Sequence, residues 1–472
     1  VRHPGFALDR RAFLGRYAGG LGPLALAHLA AEARADEPRP PADPLAPKRP
    51  HHAPRAKAVI CLFQHGGPSQ MDLFDPKPEL TRRHGQPHPH RLEVHFHTQQ
   101  GKLLASPFRF ERRGGVGVEL SELLPHTGGV ADDITLVRSM ATDSVDHEAA
   151  LRVIHSGKVF PGRPAWGSWV LYGLGTARKE LPAYVVLSDP GGLPVDGANN
   201  WSSGFLPAAY QGTPFRAAGT PVAHLATPAD VPAAARRNQL DLLRSLNTTH
   251  LGRHAGDAEL AARLGHYELA ASMQLAVPDV LDLSKETEET RRLYGIDDPK
   301  SAEYGRRCLL ARRLVERGVR FVQVFLSGQP WDTHSKNAEN LRNLCAMTDR
   351  PGAGLVLDLK RRGLLDSTVV MWAGEFGRLP ISQGGDGRDH NRHAFSLWLA
   401  GGGFKRGYVH GGTDEFGYRA VEKVVRVPAL HATLLHALGL DHTRLTFPHE
   451  GRDDTLTDFA VTRADVVRDL LA

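Results

Sequence analysis

Short, unbroken apolar runs that open directly into polar, glycine-rich loops constrain this chain more than any other feature. Ala58-Val-Ile-Cys-Leu-Phe63 runs straight into Gln64-His65-Gly66-Gly67. A strand that is apolar at every position has to be covered on both faces. Ile134-Thr-Leu-Val137 and Ala183-Tyr-Val-Val-Leu187 repeat the type. Further on, a helical pattern from Ala302 to Arg317 stops at Gly318 and leads into Val319-Arg-Phe-Val-Gln-Val-Phe325. Another, from Gly354 to Arg362, feeds Thr368-Val-Val-Met-Trp372. Helix, glycine, then β-branched strand, repeated, is the pattern of crossover connections. The expected fold class is therefore α/β, a mostly parallel central sheet with helices on both faces. Pro232 to Leu275 carries leucines at i, i+3 and i+4 spacings, which predicts a helical insertion around residues 231–300 packed on the core.

The beginning of the chain follows a different logic. Asp9-Arg10-Arg11-Ala12-Phe13-Leu14 is the core of a twin-arginine signal, followed by a weakly apolar stretch and an Ala33-Arg34-Ala35 processing site. Residues 1–35 are thus expected to be a signal peptide that exports a folded protein to a periplasmic or extracellular destination. Pro23 and His28 interrupt an apolar run too short for a permanent anchor, so no transmembrane anchor is expected in the mature protein. Residues 36–56, rich in Pro, Ala and His, predict a disordered linker before a single domain over 57–472.

The net charge of +6 includes five leader arginines against Asp9 and Glu32. What remains is too weak, and too free of basic clusters with interleaved aromatics, to indicate nucleic acid. Cys61, Cys308 and Cys345 stand far apart in apolar segments and predict buried thiols rather than disulfides or a zinc knuckle.

In open α/β sheets, sites form at the carboxyl ends of strands. The polar clusters of this chain fall there: His65 to Asp72, Asp143 to Glu148, Trp331-Asp332-Thr333-His334, Gly374-Glu375-Phe376-Gly377-Arg378, and then Gly387-Arg388-Asp389-His390. Carboxylates and imidazoles converging from strand ends suit one or two divalent cations, with Zn, Ca or Mn as candidates. Asp332 and His334, two apart, point to the same side of an extended segment. Asp389 and His390 diverge in a strand but converge in a glycine-rich loop. Asp143 and Asp146 read as caps of the helix that follows them. The histidines from His84 to His97 lie in a charged loop and are set aside.

The same segments, with Arg163-Pro-Ala-Trp-Gly-Ser-Trp-Val170, Asn200-Trp-Ser-Ser-Gly-Phe-Leu-Pro207 and Leu430-His-Ala-Thr-Leu-Leu435, resemble the DUF1501 family over the whole mature chain. These are sulfatase-like exported proteins of planctomycete type, placed with the alkaline-phosphatase-like fold. The resemblance implies hydrolysis of sulfate or phosphate esters, with sulfated polysaccharide among the substrates. It also implies one or two metals and a nucleophile at a helix N-terminus. Counting back from Ser156-Gly157 puts His147 at that place, and no Cys-x-Pro-x-Arg stands there, so Thr142 or Ser144 would have to reach the site to replace it. The family's first-strand Asp pair is Gln64-His65 here, and its later Asp-His or Asp-Asn pair is Glu375-Phe376.

These readings combine into one expectation. Asp332, His334, Glu375, Asp389 and His390 hold metal, with His65 and Asp72 as further candidates. Arg378 or Arg388 grips the anionic ester through its guanidinium fork. His147 serves as acid, base or nucleophile, or else metal-activated water attacks. The alternative is a non-catalytic glycan- or protein-binding module on a degenerate hydrolase fold, working with an exported cytochrome-type partner.

Overall fold

The computed structural model describes residues 43–472 except 96–99, 179, 217–230, 255–259, 261–262, 266, 270–272 and 274–278. The expected leader therefore lies outside the described residues. The elements that matter here are, in chain order, β1 (Ala58–Phe63), β2 (Gln100–Leu103), β3 (Ile134–Ala141), α1 (His147–Ser156), α2 (Trp166–Leu174), β4 (Tyr184–Leu187) and β5 (Thr213–Phe215). They continue with α3 (Ala233–Arg253), α4 (Ala302–Glu316), β6 (Phe321–Val324), α5 (Asn337–Arg361), β7 (Thr368–Ala373), β8 (Gly377–Gln383), β9 (Gly387–Asn391), β10 (Phe395–Ala400), β11 (Tyr408–His410), β12 (Val425–Arg426) and α6 (Val427–Ala437).

The central sheet has the order β11-β3-β10-β7-β1-β6-β4-β5, with β12 beside β3. Only β10 runs antiparallel, against both β3 and β7. β1 sits in the middle, pairing in parallel with β6 (Val59 opposite Phe321) and with β7 (Val59 opposite Val369). Its all-apolar sequence follows from that position. Ala58, Ile60 and Leu62 join the core under α4 and α5, while Val59, Cys61 and Phe63 join the core under α1, α2 and α6. Alternation of period two divides one strand between two helical layers. The three cysteines are buried and reduced, as their apolar settings predict. Among the described residues no helix is long and apolar enough to cross a membrane.

Three expectations differ from what forms. α5 begins at Asn337 rather than near Gly354 and carries Pro351 inside it. A side chain on Gly354 would strike the carbonyl of Leu293, so close packing demands glycine there. The first part of the insertion forms α3, whose Leu242, Leu243 and Leu246 are exposed, whereas Met273, Val280 and Tyr294 further along it are buried in the core as expected. The expected linker is docked from Asp43 onward. Lys48 N–H donates to the Leu174 carbonyl (3.0 Å), and the Arg55 and Ala56 amides donate to the Ala437 carbonyl (2.9 and 2.8 Å). These are the last carbonyls of α2 and α6, which lack partners inside their own helices.

Candidate metal centre

The loops after β1, β6 and β7 turn over the sheet edge, and the antiparallel pair β8–β9 folds back above them, with Arg378 opposite His390. Two glycines allow the close approach. A Cβ on Gly66 (φ 110°) would strike the backbone amide of Asp332, and one on Gly387 would strike the backbone of His334. Opposite them α1 starts with His147. Asp146 is its N-cap, accepting from the Ala149 amide at 3.0 Å, and Gly157 closes it in the left-handed conformation.

Four side chains converge in this space: His147 from α1, Asp332 and His334 from the loop after β6, and His390 from β9. One ligand atom from each lies within 4.8 Å of all the others. All three rings turn Nε2 toward one carboxylate: His334 at 2.9 Å and His390 at 3.2 Å from Asp332 Oδ1, and His147 at 3.3 Å from Oδ2. Their Nδ1 atoms face oxygens: Glu375 Oε1 at 2.7 Å from His147, Gln383 Oε1 at 2.5 Å from His334, and the Val145 carbonyl at 2.6 Å from His390. Those oxygens accept, so Nδ1 carries the proton. A neutral ring then presents its Nε2 lone pair to a carboxylate, which is repulsive unless a cation lies between them. His147 Nε2 is buried without a hydrogen-bond partner, although Asp332 is so near. The residues fit a metal ion on these grounds. Three imidazole nitrogens and one carboxylate oxygen are a donor set for zinc or another transition metal rather than for calcium.

The protonation energetics of the bare cluster agree. Burial opposes ionisation of Asp332, but the His147, His334 and His390 rings gathered around it and the Arg378 charge outweigh it and hold the carboxyl far below the usual range. Burial pushes His390 down to about 4, against the pull of Asp332 and with help from the Arg378 and His147 charges, so its ring is neutral. Burial also opposes charge on His147, yet Asp332 and Glu375 raise it to about 9. Without metal, a proton on His147 takes the place of the cation.

The other residues singled out in the sequence are placed differently. Glu375 lies behind His147 rather than beside the four converging atoms; its Oε1 accepts the Gly66 amide at 2.8 Å and the His147 ring. Asp389 stands next to His390 in a strand, where adjacent side chains diverge, and it is not among the four converging groups; its Oδ1 lies 4.0 Å from His334 Nδ1, on the far side of that ring from Nε2. Its carboxylate accepts the amides of His390 (2.8 Å) and His95 (3.0 Å). Asp72 is fully buried and paired with Arg388 (2.7 Å), Ser69 (2.6 Å) and Asn337 (2.9 Å), so it is an ion-pair partner and not a ligand of this cluster. Arg388 spends its fork on Asp72 and on the carbonyls of Leu379 and Leu104. Arg378, also fully buried, binds Asp332 (2.7 Å) and the carbonyls of Gly66, Gly67, Trp331 and Arg388. Both guanidiniums are wholly buried and turned to protein acceptors rather than to an open site. His65 is buried between Phe63, Phe325 and His155, with no hydrogen-bond partner at either ring nitrogen. Asp143 pairs with Arg426.

His95, set aside with its neighbours, stacks on His390 with ring centroids 4.9 Å apart. Pairing of β2 with β8 brings this segment across the site, and no local spacing in the sequence marks it. Gln383 likewise gains its role only through the β8–β9 pairing.

Among solved structures, the chain is similar to the PsFucS1 sulfatase from Pseudoalteromonas sp., with 11% identity, TM-score 0.35, and 82% of this chain and 68% of that one covered. It is also similar to a phosphonate monoester hydrolase from Silicibacter pomeroyi, with 10% identity, TM-score 0.34, and 87% and 78% covered. A third is the lipoteichoic acid synthase LtaP from Listeria monocytogenes, with 9% identity, TM-score 0.32, and 88% and 79% covered. No curated protein matches the chain. The family model described as "Protein of unknown function (DUF1501)" matches residues 56–471, and the chain belongs to that family.

Proposed function

We propose that the protein is an exported metal-dependent hydrolase of sulfate or phosphate esters, with zinc as the metal. The observation that carries the reading is the set of three imidazoles, each proton-bearing at Nδ1, that turn Nε2 to the single carboxylate of Asp332. His147, Asp332, His334 and His390 would hold the ion. Bound there, zinc supplies Lewis acidity toward an ester oxygen.

The chain's own residues set the rest. Position 147, at the start of α1, carries an imidazole where an ester-transferring enzyme would carry a hydroxyl or thiol. This favours direct attack by water over a covalent intermediate. Arg378 fixes Asp332 and does not grip substrate. An ester's negative charge would be met by the ion and the positive end of α1. The twin-arginine leader at residues 1–35 sends the folded protein to the periplasm or beyond, where sulfated glycans are a fitting substrate class.

The complete burial of Arg378 and Arg388 specifically favours a second reading, a glycan- or protein-binding module that works with an exported cytochrome-type partner. One experiment separates the two. Metal content of the purified mature protein is measured by mass spectrometry beside Asp332→Ala/His390→Ala, followed by a screen of aryl sulfate and aryl phosphate esters. Near-stoichiometric zinc that the double variant loses, with ester turnover that tracks the zinc, is the expected result. Zinc-free protein under loading conditions would overturn the hydrolase and leave the module.

A further inference from the structure

We infer that Glu375 is a positioning residue for this centre: its carboxylate holds the His147 ring with Nδ1 protonated and Nε2 aimed at the ion, without itself binding the ion. The inference rests on the metal reading above. Glu375 is wholly buried at the carboxyl end of β7, the strand beside β1 at the middle of the sheet. Its Oε1 lies 2.7 Å from His147 Nδ1 and receives the Gly66 amide at 2.8 Å, so one atom ties α1 to the first-strand loop. The three histidines are not held alike. The Nδ1 of His334 meets an amide oxygen, with the Asp389 carboxylate 4.0 Å away, and that of His390 a backbone carbonyl, while that of His147 is held by the Glu375 carboxylate at 2.7 Å.

A carboxylate at Nδ1 raises the donor strength of Nε2 and fixes the ring plane, and loss of such a partner typically lowers metal affinity about 10- to 100-fold. The ring also stands on the first residue of a regular helix, whose start is fixed by the Asp146 cap. Backbone and carboxylate together leave the imidazole one orientation. Direct ligation would have to use Glu375 Oε2, which is buried without a hydrogen-bond partner. The test therefore has to separate holding the ring from binding the ion.

The full mature chain, Glu375→Gln, Glu375→Ala and His147→Gln are compared. Zinc affinity is read by chelator competition, ligand number by X-ray absorption of the zinc-loaded proteins, and the His147 tautomer by ¹⁵N spectra. The wild type is expected to show His147 protonated at Nδ1. Glu375→Ala should bind zinc about 10- to 100-fold more weakly, and Glu375→Gln should fall between it and the wild type, since an amide oxygen still accepts from Nδ1. The number of protein ligands should stay the same in Glu375→Gln. Loss of one oxygen ligand in Glu375→Gln would make Glu375 a ligand and overturn the assignment. So would unchanged affinity in both Glu375 variants alongside a loss in His147→Gln. A wild type that takes no zinc would fail the metal reading itself, seen before any variant is made. Should Glu375→Ala not fold, Glu375→Gln carries the test alone.

Discussion

At the scale of single residues, two carboxylates that each follow a strand end in the sequence do opposite work. Asp72 meets one guanidinium at zero exposure on both sides, whereas Asp332 gathers three imidazoles and Arg378. Removing Asp72 strands a buried charge. Asp72→Ala is expected to lose about 3–5 kcal/mol of stability in urea unfolding, while the zinc affinity of the folded fraction stays within about twofold of the wild type. Asp332→Asn should show the reverse order, with zinc affinity down by more than about 100-fold against a smaller change in stability. Equal zinc losses in the two variants would mean that Asp72 belongs to the centre after all. The sequence could name both carboxylates, since each follows a strand end, but not divide them. The division depends on which of several arginines and histidines lies opposite, and that is set by contacts between distant parts of the chain, such as Asp72 with Arg388 and Asp332 with His147.

Histidines away from the cluster give the protein an acid limit. Burial lowers His155 to about 3 and His431 to about 4, so both are neutral in the fold. In the unfolded chain each titrates near 6.5, so below that value the unfolded state binds more protons. The stability tied to their neutral forms is complete above about pH 6.5 and is lost as pH falls toward 4. Urea midpoints of the metal-free protein should therefore fall steadily on the acid side of about pH 6.5, and fall again as pH rises toward 9, where the raised His147 gives up its proton. In His155→Leu the acid slope should be shallower. An unchanged slope in that variant would place the acid sensitivity on other groups.

At the scale of elements, the sheet was legible because burial on both faces leaves a plain signal. β1, β4 and β7 stand within a residue or two of their apolar runs. Elements whose form depends on close packing were not legible. The helix expected to start at Gly354 begins at Asn337 and runs on through Pro351, with Gly354 packed against the Leu293 carbonyl. α3 misled in the other direction, since leucines at helical spacing promised a buried face. Leu242 is 61% exposed, Leu243 51% and Leu246 58%. Serine at all three is therefore expected to shift the unfolding free energy by no more than about 0.5 kcal/mol per site. Leu314→Ala in α4, which is fully buried, should cost about 2–5 kcal/mol. A triple serine variant that unfolds as readily as Leu314→Ala would show that the leucines are covered in solution.

At the scale of the whole molecule, the four converging groups come from α1, the loop after β6 and β9, spread between residues 147 and 390. No short stretch of the unfolded chain can offer three imidazoles and a carboxylate within reach of one ion, so metal binding is coupled to folding of the entire domain. The same coupling explains the bare cluster, where a proton on His147 stands in for the missing charge. An ion that binds only the folded state stabilises it by about 2.7 kcal/mol at a hundred times its dissociation constant. Zinc is therefore expected to raise the thermal midpoint of the metal-stripped protein in a concentration-dependent way, and a chelator should reverse the rise. Asp332→Ala/His390→Ala should start lower and stay level as zinc is added. Calcium should do little, because the donors are mostly imidazole nitrogens. If zinc and manganese both leave the wild-type midpoint where it is, His147 and Arg378 alone supply the positive charge around Asp332, and the cluster's role is to tie α1 to the sheet.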